Sequence, residues 1–526
     1  MIATDHLQSL KDARNARRRA RRAEARSAKA EPTLTPAASP EPPKSVSRGT
    51  VTSPDEKRRS LSGGRFVFTA AQNNTELHEG FWMALQRYCK ETEAKLYVSR
   101  FTYNKAEWKK RGGLTVEPEQ TPEDEGVWYD PRIIPHLLDE NVKVADGLVF
   151  CGELDILPTA ATPLATLHNY TGPNSGIVPH AKVALQSLAT MKHEHAKMMY
   201  TTGACTLRNY IDRKAGQVAT FHHVFGALVV EIDEHGDWFA RQLMASDDGG
   251  FYDLNEWFDR DSNGVDVVGP IVTLGDVHIE KMDHVALQGA MDMLTALQPE
   301  HVFVHDLIDF EARNHHNLKD PHFLAKKHFN GIESVEANLE AGARFLYGLS
   351  QKLPDAAVHV IRSNHDQAFE RWLKDPSGQY DAENAWFWHY WNSVWHHSIR
   401  TDGKIDLFAV AMREIAAGNS FNLTDIHFVK EDESVLIYDI EHGMHGHRGV
   451  NGSKGSPKQF RQMGRKANTG HTHSAGIVDG VYTGGVLGEL DMEYNSGPSS
   501  WSHSHILTYP NGKRCIITQR GSKWRA

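Results

Sequence analysis

Cysteine is scarce in this chain: four residues in 526, Cys89, Cys151, Cys205 and Cys515, with no C-x-x-C pair among them. That spacing excludes a disulfide framework and a thiolate zinc site, and four reduced, mostly buried thiols are expected instead. Long apolar runs are missing too. No stretch approaches the roughly 20 residues that a membrane-spanning helix requires, so no membrane partner is expected. The N-terminus is basic but lacks the apolar segment of a secretory leader, and a cytoplasmic location is expected. Excess positive charge is also absent: 58 Lys and Arg face 67 Asp and Glu, a net charge of -9. Contact with nucleic acid would therefore run through local patches. Histidine, in contrast, is plentiful, with 31 residues.

The length predicts two or three folding units. Residues 1–63 join an Arg/Ala-rich run, "ARNARRRARRAEARSAKA", to a Pro/Ser/Thr-rich stretch poor in large apolar side chains, and a disordered basic N-terminal tail is expected there. At "RFVFTAAQNN" the texture changes. An apolar strand, a helix pattern through Phe81, Leu85 and Tyr88, and the strand "KLYVSRF" give a strand–helix–strand rhythm, continued by "GLVFCG", "KMMYTT" and "FGALVVEID". Residues 64–268 are thus expected to form an α/β domain with a mainly parallel sheet, of unclear role. That segment and the tail are the candidate surfaces for self-association or a partner protein.

Residues 269–526 repeat the alternation with a difference at the strand ends. "PIVTLGDVH" delivers Asp276 and His278, "HVFVHDLID" delivers Asp306 and then Asp309, and "AAVHVIRSNHD" delivers Asn364, His365 and Asp366. "SVLIYDIEHGMHGH" ends in His442, His445 and His447, and "NTGHTH" ends in His471 and His473. A single His-x-His describes two solvated loop histidines as well as two ligands. Five strand ends supplying Asp-x-His, Asp, Asn-His-Asp, His and His-x-His to one sheet edge, where α/β proteins collect their sites, are hard to put down to coincidence.

This ordered set resembles the calcineurin-like metallophosphoesterase superfamily, whose motifs read D-x-H, G-D-x-x-D, G-N-H-D/E, H and G-H-x-H. The resemblance covers roughly residues 270–510, and it implies a metallophosphoesterase β-sandwich flanked by helices, preceded by the second α/β domain. It assigns Asp276, His278 and His473 to one ion, Asn364, His445 and His471 to another, and Asp306 to both. Within the 442–447 cluster it favours His445, with His442 as the second choice. It casts His365 as the group beside the phosphorus and Asp366 as the residue that orients its ring. Carboxylate, imidazole and amide oxygen suit borderline divalent ions; manganese (Mn2+) is expected, with Mg2+, Fe2+ and Zn2+ compatible. Two such ions polarise a phosphoryl oxygen and activate water. The sequence departs from the pattern at His305 and Ser363, where glycines are usual, and it lacks the Arg-Gly of protein phosphatases.

Between the last two motifs lie Lys454, Lys458, Arg461, Arg465 and Lys466. Cations beside a two-metal centre in an acidic chain suggest a polyanionic backbone as substrate, with Ser456 and Pro457 opening a short helix. The "YPNGKR" stretch predicts a hairpin near the C-terminus. In texture the chain is similar to the large tailed-phage members of the superfamily and, more distantly, to its SbcD-type nucleases. The expected function is a DNA nuclease of phage or prophage origin, acting in the host cytoplasm. A small-molecule phosphodiesterase or phosphatase, and a DNA-transfer or scaffold protein with a residual metal site, are the alternatives.

Overall fold

The computed structural model of the chain describes residues 58–103, 127–262, 265–266, 269–314, 317–401, 403–492 and 494–526. The basic run expected to be disordered lies outside them. The last few residues of the expected tail depart from that reading, because Arg59 and Ser60 form a strand paired in parallel with Val142 and Lys143. Residues 57–526 make one compact unit of mixed α/β structure. Among the described residues no helix is long and apolar enough to cross a membrane.

Six strands form one sheet: β1 (Ile271–Thr273), β2 (His301–Val304), β3 (Ala357–Ile361), β4 (His427–Val429), β5 (Ser504–Thr508) and β6 (Arg514–Thr518), in the order β4-β3-β2-β1-β5-β6. β1 to β4 are parallel, and the hairpin β5–β6 joins β1 antiparallel. Its turn is the predicted one, with Gly512 at φ 68° and the Tyr509 amide donating to the Lys513 carbonyl at 2.9 Å. The parallel strands are covered on both faces, which is why they read as near-continuous apolar runs. One face carries the helices His284–Leu297 and Val335–Lys352. Asp283 caps the first by accepting from the Val285 and Ala286 amides, and Ser334 caps the second. The second buries Val335, Leu339, Ala343, Leu346 and Leu349, a stripe at helical spacing.

On the other face Ile271, Phe303, Ile361 and Val429 meet Val435, Ile437 and Tyr438 at the start of a second, eleven-stranded sheet. That sheet runs from Leu436–Ile437 through Lys466–Thr469, Val481–Thr483 and Gly476–Val478 into Leu185–Leu188, and on to Arg59–Ser60. Leu185 pairs with Ile477 and Gln186 with Gly476. The boundary expected near residue 268 therefore divides a chain whose two sides share a sheet.

The predicted strands and helix of residues 64–268 are present: Arg65–Gln72, Glu79–Glu91, Lys95–Phe101, Leu148–Cys151, Lys197–Thr201 and Gly226–Ile232. The mainly parallel sheet expected there is not. Asn141–Ala145 turns straight back into Leu148–Cys151, and Gly226–Ile232 into Trp238–Met244, so antiparallel pairs interleave with parallel ones. Connections of a few residues cannot return the chain in parallel. All four cysteines are free and buried, as expected.

Candidate metal centre

Three strands of the six-stranded sheet end in predicted site residues. β1 is followed by Asp276 and His278, β2 by Asp306, and β3 by Asn364, His365 and Asp366. The remaining two contributions do not come from the same sheet edge, which corrects the sequence reading. His442, His445 and His447 follow Ile440–Glu441, and His471 and His473 follow Lys466–Thr469, all on the eleven-stranded sheet. β4 supplies no predicted site residue; after it the chain crosses to the facing sheet. The packed face between the two sheets is what brings their ends together.

Four overlapping groups of side chains converge there, each with ligand atoms all within 4.8 Å of one another: Asp276, His278, Asp306 and His473; Asp306, His445 and His471; Asp276, His305 and His445; and His278, Asp309 and His365. The first two gather the predicted ligands. Asp306 belongs to both. In the first, Nε2 of His473 lies 3.2 Å from Oδ2 of Asp276, and Nε2 of His278 lies 3.6 Å from Oδ2 of Asp306. In the second, Nε2 of His445 lies 3.2 Å from Oδ2 of Asp306 and 3.1 Å from Oδ1 of Asn364. The His471 amide donates to Oδ2 of Asp276 at 2.7 Å, tying the last loop to the first.

The backbone is bent to allow this. His278, Asp306, His471 and His473 all take positive φ, at 47°, 43°, 72° and 56°. Left-handed non-glycine residues cost free energy and cluster where function holds them. Gly470 contributes by absence: a Cβ there would stand 2.1 Å from Oδ1 of Asp276.

Behind these groups lies a supporting layer. Oδ1 of Asp309 is 3.3 Å from Nδ1 of His278 and 2.9 Å from Nδ1 of His365. Burial would raise the Asp309 carboxyl, but the two imidazoles hold it well below the usual range. Burial would lower His365, yet Asp306 and Asp309 outweigh it and push the imidazole up to about 10. The expectation that Asp366 orients His365 is corrected. Its Oδ2 accepts from the Ser363 hydroxyl at 2.7 Å and its Oδ1 from the Ile308 amide at 3.2 Å, which turns the carboxylate into the protein; burial, then Asp306, raises it to about 6.

The donor chemistry fits a metal cation. Nδ1 of His278 lies 3.3 Å from Oδ1 of Asp309, and its Nε2 faces Nε2 of His473 at 3.0 Å, two ring nitrogens brought together at the place a cation would occupy. Oδ1 of Asp276 is buried without a hydrogen bond among the described residues, a costly state that a bound cation relieves. These buried His and Asp groups can hold a metal ion. Protein A1 of Escherichia phage T5 is 39% identical over 500 residues, covering 91% of this chain and 86% of that protein. This chain belongs to the Protein A1 family. No family profile matches the sequence, and no solved structure matches the fold.

In this A1-family chain the three histidines of the 442–447 cluster stand in different surroundings. His445 stands in the metal-capable group, whereas His442 stacks on Phe303 with ring centroids 4.5 Å apart and burial drives it down to about 3. His447 is held 5.4 Å from His445 and 6.2 Å from His471, ring to ring. The basic segment divides as well. Lys454 and Lys458 are exposed, Arg461 pairs with Asp479 at 2.9 Å, and Arg465 lies 3.9 Å from Glu441. Pro457–Phe460 is a single helical turn, and Ser456 makes no side-chain capping bond to it.

Three supporting residues escaped the sequence reading. Asp309 was visible only as a second Asp three positions after Asp306. His305, read as a lost glycine, packs its Nδ1 3.3 Å from Nδ1 of His445. Glu280, for which no pattern gave a signal, accepts from the Asp309 and Phe310 amides at 2.6 and 3.0 Å and so fixes the turn that carries Asp309.

Proposed function

We propose that this chain is a divalent-metal-dependent phosphodiester hydrolase acting on DNA, built on the metallophosphoesterase plan with a sandwich of two sheets. The observation that carries this reading is Asp306, shared by two buried ligand groups, with His365 beside them. Asp276, His278 and His473 would hold one ion, Asn364, His445 and His471 the other, and Asp306 both. A donor set of carboxylates, imidazoles and one carboxamide suits Mn2+ and similar ions. When bound, such ions supply charge to the phosphoryl oxygens and lower the pKa of water.

The chain's own groups do the rest. Asp309 anchors Nδ1 of His365 and leaves Nε2 to meet the substrate, where it donates a proton to the departing oxygen. Arg371 donates to the Asn364 carbonyl, which fixes the loop presenting that side chain. Lys454 and Lys458, exposed on the segment after His447, suit a phosphate backbone; Arg461 and Arg465, already facing carboxylates, contribute less. Membership in a phage family accords with a nuclease working in an infected cell.

The test is incubation of the wild type and Asp306→Asn with Mn2+ against plasmid DNA, single-stranded DNA and bis-p-nitrophenyl phosphate. Wild-type cleavage of DNA, lost in the variant together with bound metal while the circular dichroism spectrum stays unchanged, is the expected outcome. Hydrolysis of the small diester alone would favour a small-molecule phosphodiesterase. No hydrolysis of any diester by metal-loaded wild type would overturn the reading.

A further inference from the structure

The surroundings of the two ligand groups differ in kind. On the side of Asp276, His278 and His473, the Trp501 indole meets the His473 imidazole edge to face, centroids 4.2 Å apart. Tyr494 leans across Trp501 at 5.8 Å. Tyr494 is 56% exposed and Trp501 is half-buried, so aromatic surface is left in water beside buried polar side chains. On the side of Asn364, His445 and His471, the neighbouring segment carries Arg448 and the exposed Lys454 and Lys458.

The aromatic side is braced. Within its loop, Asn495 accepts from the Met492 amide and donates to the Leu490 carbonyl, both at 3.0 Å. From residues far earlier in the chain, Lys192 reaches Asn495 at 3.0 Å and Asp491 at 2.5 Å, and Thr190 and Ser499 exchange backbone hydrogen bonds of 3.0 and 2.9 Å. An exposed tyrosine on a loop with this many fixings is preorganised for a flat apolar ligand. Nucleobases are such ligands, and they stack on aromatic rings whatever their sequence.

We propose that Tyr494 and Trp501 form a stacking platform for the nucleobase adjoining the scissile phosphate, so that the substrate is a DNA strand with that base unpaired. The inference rests on the hydrolase reading above and adds its substrate class. A base inside a duplex has both faces covered by its neighbours and cannot lie on Tyr494. A nucleotide needs an aromatic surface for its base and cations for the phosphates beyond, and the two sides of the centre supply one each. Residues 190–192 thereby acquire a task at the site: they hold the platform.

The experiment uses the full chain, loaded with Mn2+, and short phosphorothioate DNA strands carrying 2-aminopurine at either end, whose fluorescence is quenched by stacking. Wild type is expected to quench at least one of the two probes. Tyr494→Ala should abolish that quenching and weaken single-strand binding by roughly 5- to 100-fold, the scale of one base–aromatic stack. Tyr494→Phe should restore both, because it keeps the ring. Binding of a blunt, fully paired phosphorothioate duplex should be the same for all three proteins. Because Tyr494 is exposed, loss of fold is not expected, and metal content and melting temperature check that directly. Unquenched probes with wild type, or equal single-strand affinity for wild type and Tyr494→Ala, would overturn the platform. Failure of the hydrolase reading shows separately, as absence of diester cleavage whatever the fluorescence does.

Discussion

Oδ1 of Asp309 lies 2.9 Å from Nδ1 of His365, so the residue that steers this imidazole comes from the turn after β2 and not from the adjacent Asp366. Two carboxylates close together in space thus have separate work, and substitution should tell them apart.

Asp309→Asn should lower turnover by about 10- to 100-fold and weaken metal binding on a similar scale, because the same carboxylate also faces Nδ1 of His278. Asp366→Asn should act chiefly on stability, through the Ser363 and Ile308 bonds. Steady-state kinetics, metal analysis and thermal denaturation of the pair check this. A larger kinetic loss for Asp366→Asn would restore the original assignment.

His365→Asn should keep its metal while turnover on DNA drops by about 10²–10⁴, the usual scale of general acid–base help. The drop should be smaller for bis-p-nitrophenyl phosphate, whose leaving group needs little protonation. Equal losses on both substrates would point to stabilisation of a non-bridging oxygen.

His445→Ala should lose metal and activity at modest cost in stability. His442→Ala should do the reverse, destabilising on the order of 1–3 kcal/mol by removing a buried ring stacked on Phe303 while metal stays bound. Elemental analysis and melting curves of the two variants separate these outcomes, and metal loss in His442→Ala alone would reverse the choice.

Metal affinity should weaken as pH falls. Burial lowers the His445 imidazole, but the Asp306 carboxylate outweighs it and raises it, so a proton occupies that nitrogen up to higher pH than usual and competes with the ion. Affinity should climb as pH rises through that raised value, with proton release on binding. Calorimetric titration with Mn2+ in buffers of different ionisation enthalpy measures the protons released; none released across the neutral range would contradict the assignment.

The side chains that converge were legible in the sequence because chemistry with strict ligand requirements leaves fixed spacings. Asp276, His278 and Asp306 each sit two to five residues beyond an apolar strand, and a strand end is easy to read. The sheet that each strand joins was not legible. Ile440–Glu441 and Lys466–Thr469 look like further strands of the same series, and only long-range pairing assigns them to the facing sheet. The role of Asp366 was misread for a related reason. Adjacency in sequence suggested contact with His365, whereas the turn directs consecutive side chains apart, and Asp309 arrives from another strand. Residues 64–268 gave up their strands and their helix but not their sheet order, since the pairing of Leu185 with Ile477 spans nearly three hundred positions.

That pairing bears on how the chain can be dissected. A fragment beginning near residue 269 would keep Val481–Thr483 on one side of Gly476–Val478 but remove Leu185–Leu188 from the other, leaving an open edge that invites strand addition by other molecules. It would also strip Ile506 and Ile516 of the Phe66 and Phe68 rings in the core they share. Such a fragment retains every residue assigned here to metal and yet should precipitate. A deletion in the first half that silences the protein would then report insolubility, and not the loss of a second activity housed there.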